Sequence, residues 1–268
     1  MTLCPLRYLS SIDAQALTLS ILGSMEQTWV DNGLTLLMKL YGCVATGKDV
    51  GMIEVVPDAA TTAAIQSDEA GTVRGAFAKN PIRSWLDKHQ LDDDGRLAAR
   101  ERFMRSCAAY CVASGVIGLG DRHPSNIMVT KTGELFHIDF GHFLGNFKSK
   151  LGVKRERSPF VFTPQMLGVL GTTLSDEVPQ RFLALCHDAF NHLRRNAHLL
   201  LALFVLMVPA GMPELRRPSD VGYMHRMLLL KLDDNAAGKE FRQMISSSLK
   251  DTFRLLDNMI HMQVHRKK

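Results

Sequence analysis

No apolar stretch in these 268 residues is long enough to cross a bilayer. The longest uncharged run, Leu199 to Val208, stops at Pro209, far short of the roughly 20 residues that a spanning helix needs. Met1 to Ser20 lacks the basic start, apolar core and small-residue cleavage site of a secretory signal. Cysteines are few: five, an odd number at irregular spacing, which argues against a disulfide framework and for reduced thiols in an intracellular protein. Cys107 and Cys111 lie one helical turn apart but have no second Cys or His pair at ligand spacing, so they read as small core residues. Neither sign of charge dominates. Lys and Arg number 32 against 27 Asp and Glu, a mild excess that matters only where it is clustered. Repeats and low-complexity tracts are missing as well. What remains, 46% hydrophobic and 22% charged, is the composition of a globular protein, and it excludes disorder, collagen and coiled coil as the main state.

Leu17, Ile21, Met25 and Trp29 recur every four residues, which predicts an amphipathic helix over 14–30 that ends near Asn32-Gly33. Leu34 to Tyr41 and Val50 to Val56 read as strands, the second closed by Pro57. Asn80-Pro81 opens a short helix through Trp85 and Leu86. After the acidic turn at 92–95, a long helix from about Arg96 to Ile117 breaks at Gly118 and Gly120. Beyond Thr163 the pattern is helical, near 164–170, 179–207, 219–230 and 236–264. Strands first and helices after give an α+β class with helix predominating.

Asn126 to Phe140 reads as a β-hairpin. A two-residue turn at Thr132-Gly133 makes Asn126 face Asp139, and directly opposed residues have β-carbons about 4.5–5.5 Å apart. An amide oxygen and a carboxylate so placed suit a hard cation such as Mg²⁺. Upstream, Asp121 and Asn126 are five residues apart, the spacing that separates catalytic Asp from metal-binding Asn in protein kinases, and a later Asp-Phe-Gly carries the second metal ligand. Here the order is Asp-Arg-His rather than His-Arg-Asp.

GLGDRHPSNIMV at 118–129, followed by LFHIDFGHFLG at 135–145, resembles the catalytic core of the phosphatidylinositol 3-kinase superfamily. KSKLGVKRERSPFVFTP at 148–164 is most similar to the class I phosphoinositide 3-kinase catalytic subunits. The likeness continues in ALTLSILGSMEQTW, MKLYGCVATGKDVGMIEVV, RSCAAYCVASGVIGLG and VPAGMPEL, all in family order.

The resemblance implies a protein-kinase-like fold, with residues 1–56 as hinge and partial N-lobe and 57–268 as C-lobe. It implies ATP and Mg²⁺ as cofactors, and a phosphoinositide acceptor, chiefly phosphatidylinositol 4,5-bisphosphate, phosphorylated at the inositol 3-hydroxyl. By similarity Asp121 and His123 form the catalytic pair, either of them as base, and Asn126 and Asp139 hold the metal. The Glu54 carbonyl and Val56 amide meet adenine, and Tyr41, Met128 and Ile138 line its pocket, although strict alternation sets Met128 and Ile138 on opposite hairpin faces. Lys148, Lys150, Lys154, Arg155 and Arg157 form the one cation cluster, which in the family meets the headgroup phosphates. Without interleaved aromatics that cluster does not suggest nucleic acid.

Residues 1–50 contain no glycine-rich loop, Lys39 and Lys48 lie too close to the hinge to be the ATP lysine, and Asp13-Ala14-Gln15 stands where the family usually has Arg-Gln-Asp. The chain thus resembles the C-terminal two thirds of a kinase domain, expected to act with upstream domains or a regulatory subunit, in the cytoplasm and peripherally at membranes. A protein kinase of the related large-kinase branch and a non-catalytic regulatory remnant are the competing readings. In the tail, Phe253, Leu256, Ile260 and Val264 recur on one helical face before a basic end, a pattern that suits an anionic membrane surface or packing on the lobe.

Overall fold

The computed structural model describes residues 3–7, 12–47, 50–70, 80–144, 149–150, 153–154, 158–210 and 215–250, with residues 3–7, 149–150 and 153–154 placed by their backbone. Within these the fold is α+β. The first sheet has strand order β1-β3-β2, with β1 Leu3–Arg7, β2 Cys43–Gly47 and β3 Val50–Glu54, all neighbours antiparallel. Helix α1, Ile12–Asp31, lies against it and buries Ile21, Met25 and Trp29 of the predicted stripe. It ends as the sequence indicates: Gly33 adopts φ +75° and the amide of Leu34 reaches back to the Trp29 carbonyl at 2.9 Å, the left-handed stop for which glycine is suited.

The predicted strand at Leu34–Tyr41 is not formed. That segment is irregular, with Leu36, Met38 and Tyr41 buried and a tight turn closed by the Met38 amide on the Leu36 carbonyl at 2.9 Å, and side chains meet others of its polar groups in place of a neighbouring strand. The Met38 amide donates to Glu26 Oε1 at 3.0 Å, and the Thr35 and Lys39 carbonyls accept from Arg105 Nη1 and the Tyr110 hydroxyl at 2.8 and 2.7 Å. Alternation marked burial correctly but could not supply a ladder partner.

A second antiparallel sheet, order β4-β5-β6, comprises β4 Ala59–Thr61, β5 Ile127–Thr130 and β6 Leu135–His137. β4, unforeseen, pairs with β5 and leads into α2, Thr62–Ala70. Helix α3, Pro81–Lys88, starts with its proline in the first turn, although Asn80 makes no side-chain capping bond. Helix α4, Asp93–Ile117, begins inside the acidic turn: Asp92 is its N-cap and accepts from the Gly95 amide at 2.7 Å, while Asp93 and Asp94 sit at the positive end of the dipole. α4 is the axis of the larger unit, buried almost without break from Phe103 to Ile117, and Gly118 at φ +64° ends it. Cys107 and Cys111 are inside this core, 1% and 3% exposed.

Four helices follow residue 163: α5 Pro164–Leu170, α6 Glu177–Arg195, α7 Ala197–Leu206 and, after a 3-10 turn at Pro218–Val221, α8 Gly222–Met227; α9 Asp234–Leu249 closes the described chain. The single helix predicted over 179–207 is therefore two, divided at Asn196, whose side chain donates to the His192 carbonyl at 3.0 Å. Trp29 fixes the first helix to this bundle by donating Nε1 to the Ala189 carbonyl at 2.9 Å. The amphipathic tail at 251–268 lies outside the described residues. Among the described residues no helix is long and apolar enough to cross a membrane.

Candidate functional site

The β5–β6 hairpin corrects the predicted register. Ile127 pairs with His137, Met128 with Phe136 and Val129 with Leu135, one residue away from the expected alignment. The loop has three residues, Lys131 to Gly133, closed by Thr130 amide to Glu134 carbonyl at 2.9 Å and Gly133 amide to Thr130 carbonyl at 3.0 Å. Gly133 is at φ +109°, and a β-carbon there would come within 2.1 Å of the Ala99 carbonyl oxygen of α4, so both backbone conformation and close approach require glycine.

A one-residue shift exchanges the two faces of a strand, and here it removes the conflict over Met128 and Ile138. Asn126 lies opposite Ile138, whose amide donates to the Asn126 carbonyl at 3.0 Å, so Asn126, Met128, Phe136 and Ile138 share one face. Ile127, Val129, Leu135 and His137 share the other and are buried at 2% or less. His137 thereby belongs to the core, its ring tilted on Tyr110 with centroids 4.7 Å apart.

Asn126 does not directly face Asp139. Asp139 follows the last paired residue and turns at φ +58°, and it nonetheless lines the same cavity as Asn126. This cavity has a volume of about 300 Å³ and is bounded by Gln15 of α1, Tyr41, Ile53 to Val56 after and within β3, and Asn126, Met128, Phe136, Ile138 and Asp139. Seven residues predicted for the site therefore come together: Tyr41, Glu54, Val56, Asn126, Met128, Ile138 and Asp139. Gln15, Ile53, Val55 and Phe136 were not foreseen. Phe136 follows from the corrected register, and Gln15 entered the sequence reading only within Asp13-Ala14-Gln15, where the resembled family usually has Arg-Gln-Asp. Tyr41 stacks on Phe140 at an interplanar angle of 12°, and burial pushes its phenol pKa well above the ordinary value. It is a neutral wall of the cavity.

Asp121 and His123 are outside that lining, on the loop that carries Asn126. Three sets of bonds fix the loop. The Gly120 amide donates to the His142 carbonyl at 2.9 Å and the Leu144 amide to the Ile117 carbonyl at 2.8 Å. Arg122, 5% exposed, donates Nε to the Gly120 carbonyl at 2.7 Å, Nη1 to Ile138 at 2.6 Å and Nη2 to the Asp139 carbonyl, so one guanidinium ties the loop to the turn after β6. Its planar fork matches carbonyls set in different directions, which a lysine could not serve. Asn126 Nδ2 donates to the Asp121 carbonyl at 3.0 Å, leaving the amide oxygen as the group still able to accept. Asp121 sits at φ +56°, a conformation held by this clamp.

The donor set, one amide oxygen and one carboxylate on a single cavity, is hard and suits Mg²⁺, which keeps several waters and takes phosphate oxygens as further ligands. Among the described residues no group of three or more His, Cys, Asp or Glu could hold a metal on its own. Of the cation cluster, Lys148, Arg155 and Arg157 lie outside the described residues. Lys150 and Lys154 are placed by backbone only, in the antiparallel pair β7 Ser149–Lys150 and β8 Val153–Lys154, where Ser149 pairs with Lys154.

Known proteins resemble this chain over most of its length. A family profile described as phosphatidylinositol 3- and 4-kinase matches residues 11–217. The chain is 45% identical over 249 residues to phosphatidylinositol 3-kinase 1 of Dictyostelium discoideum, covering 93% of the chain and 16% of that relative. It is 44% identical over 251 residues to phosphatidylinositol 3-kinase 3 of the same organism, covering 94% and 15%. With the phosphatidylinositol 3-kinase C2 domain-containing subunit gamma of Rattus norvegicus it shares 41% over 247 residues, covering 91% and 16%. The chain spans about a sixth of the length of these relatives. A profile match over most of the chain, with the Asp-Arg-His loop and Asp-Phe-Gly turn inside it, establishes that this chain belongs to the phosphatidylinositol 3- and 4-kinase family.

Proposed function

We propose that this chain carries the catalytic core of a lipid kinase, transferring the ATP γ-phosphoryl group to the 3-hydroxyl of an inositol-headgroup lipid, with phosphatidylinositol 4,5-bisphosphate the preferred acceptor. The observation that supports it most is the shared hairpin face: Asn126, Met128 and Ile138, with Asp139 beside them, form one wall of a cavity whose other wall includes Glu54 to Val56. Residues 1–56 then supply the partial N-lobe and hinge, and 57–268 the C-lobe.

In this reading the Glu54 carbonyl accepts from the adenine amino group and the Val56 amide donates to its ring, while Tyr41, Met128 and Ile138 exclude water. Asn126 and Asp139 hold Mg²⁺, which when bound draws charge from the β- and γ-phosphates. Either the Asp121 carboxylate or the His123 imidazole takes the proton of the inositol hydroxyl, and Arg122 keeps both near the Asp139 turn. Lys148, Lys150, Lys154, Arg155 and Arg157 neutralise the additional headgroup phosphates, which favours the class I assignment and work at a membrane surface. A binding partner or upstream domain belongs to the same reading, since the relatives are about six times longer.

The test is lipid phosphorylation by the full chain with Mg·ATP and vesicles of phosphatidylinositol or its 4,5-bisphosphate, alongside ATP binding. A 3-phosphorylated product is expected. Asp139→Asn should weaken Mg²⁺-dependent ATP binding by roughly 10- to 100-fold, the equivalent of losing an interaction with a charged group. Unchanged magnesium dependence in that variant overturns the metal assignment, and phosphorylation of protein in place of lipid overturns the substrate class.

A further inference from the structure

Thr62 joins two parts of the fold that are 62 residues apart in the chain. It opens α2 directly after β4, is 3% exposed, and donates Oγ1 to the Pro124 carbonyl at 2.9 Å. The hydroxyl of its neighbour Thr61 is spent locally, accepting from the Ala64 amide at 3.1 Å as a helix cap does. Thr62 instead reaches out of its helix. Pro124 starts the 3-10 turn Pro124–Asn126, so it stands between His123 and Asn126. Having no amide, it offers its carbonyl as its one backbone group for a hydrogen bond. The ties already described lie to either side: Arg122 holds the Gly120 end, and the Ile138 amide holds the Asn126 carbonyl.

We propose, on the lipid-kinase reading of this chain, that Thr62 is a positioning residue for phosphoryl transfer, its hydroxyl setting through the Pro124 carbonyl the turn that carries His123 and Asn126. The Asn126 amide donates to the His123 carbonyl at 2.8 Å, so a displacement at Pro124 is passed to both residues together. Packing leaves this side of the turn slack. A cavity of about 10 Å³ lies there, bordered by Thr62, Gln66, Arg122, Pro124, Ile127 and Thr163 among others, and atoms lining a void lack contacts on that side. A directional bond supplies what packing does not. Valine has the shape of threonine without the hydroxyl, so the position does not need threonine to fill space. Reaction at a positioned centre is sensitive to small shifts, a misplacement of 1 Å costing on the order of 100-fold, whereas the adenine end of the cleft, lined by Tyr41 and Glu54 to Val56, is independent of this turn.

The experiment compares the full native chain with Thr62→Val and Thr62→Ser, using Mg·ATP and vesicles containing phosphatidylinositol 4,5-bisphosphate, well below the melting temperature of each so that rates refer to folded protein. Amide hydrogen exchange is recorded alongside. Thr62→Val should lower kcat about tenfold, part of the range for misplacement, with the KM for Mg·ATP within about threefold. Exchange should quicken at the Asn126 and Ile138 amides and stay native along α4. Thr62→Ser, which keeps the hydroxyl, should return kcat to within about threefold of native. A native kcat in Thr62→Val overturns the proposal. So does a Thr62→Ser chain as impaired as Thr62→Val, because the methyl group would then be what matters. Faster exchange spread along α4, or a Thr62→Val chain that does not fold, overturns it too, since the bond would serve the fold at large. If the native chain phosphorylates no lipid, the lipid-kinase reading falls and this inference with it, whereas native turnover that is indifferent to Thr62→Val removes this inference alone.

Discussion

Arg122 and Asn126 show how a single side chain can fix the geometry of chemistry carried by its neighbours. The Arg122 guanidinium holds three carbonyls on two separate segments, and the Asn126 amide spends its donor on the Asp121 carbonyl. Asp121 is thus pinned through its backbone carbonyl. Asp121→Asn keeps size and backbone contacts but removes the charge, so in a phosphorylation assay it should lower kcat by at least ~100-fold, the lower range for a positioned acid or base. The affinity for Mg·ATP should stay within about threefold, because only the reacting centre is touched. A variant with full turnover would leave His123 as the base.

At the scale of the element, the hairpin is where a small misreading had the largest effect. The two strands and the glycine of the turn were legible from Ile127-Met128-Val129, Leu135-Phe136-His137-Ile138 and Gly133, but the strand ends shift by one residue, to Thr130 and His137, and whether the loop held two residues or three was not legible. That difference decides which side chains face the cleft. The close contact of Gly133 with the Ala99 carbonyl makes the loop part of the packing of α4. Gly133→Ala should therefore destabilise the protein by more than the ~1–2 kcal/mol of a left-handed L-residue, lowering the melting temperature by several degrees. A melting curve identical to that of the native protein would mean that α4 yields at Ala99 at no cost. The split of the predicted 179–207 helix has the same origin. Arg194 of α6 donates to the Leu228, Leu229 and Leu232 carbonyls and to Asn191 and Asp234, drawing the 228–234 loop across the end of α6, where the chain bends at Asn196. Nothing in an apolar periodicity records such a distant partner.

For the whole molecule, a set of carboxylates governs the response to acid. The Arg195 hydrogen bond, against a smaller effect of burial, holds Asp234 below the ordinary carboxylate range; Lys131 does so for Asp58, and the amides of Arg216 and Arg217 for Asp220. At Glu134 burial acts upward, but the Thr130 and Thr132 hydroxyls outweigh it. Folded values below unfolded ones mean that this stabilisation is complete above the unfolded value near pH 4 and is lost as pH falls through the folded values. Glu26, raised by burial despite the Met38 amide, works in the other direction and costs stability as pH rises past the ordinary glutamate value. The melting temperature should hold from neutral pH to about pH 4.5 and fall below that, and Asp234→Asn should flatten the fall. A steeper acid transition in that variant would contradict the assignment of Asp234.

The sequence by itself determined the family, the α+β class, the positions of α1, α3 and α4, and seven residues of the cavity, because motif order and helical periodicity are local properties of the chain. Only the tertiary structure decided the hairpin register, the absence of a ladder at 34–41, the pairing of β4 with β5, the break at Asn196 and the place of Gln15 in the cavity wall. Each depends on a partner distant in sequence: a helix carbonyl beneath Gly133, the Arg105 and Tyr110 side chains beneath the 34–41 segment, a loop drawn in by Arg194, and a cavity shared by α1, β3 and the hairpin. Local propensity cannot encode contacts that exist only once those elements have packed.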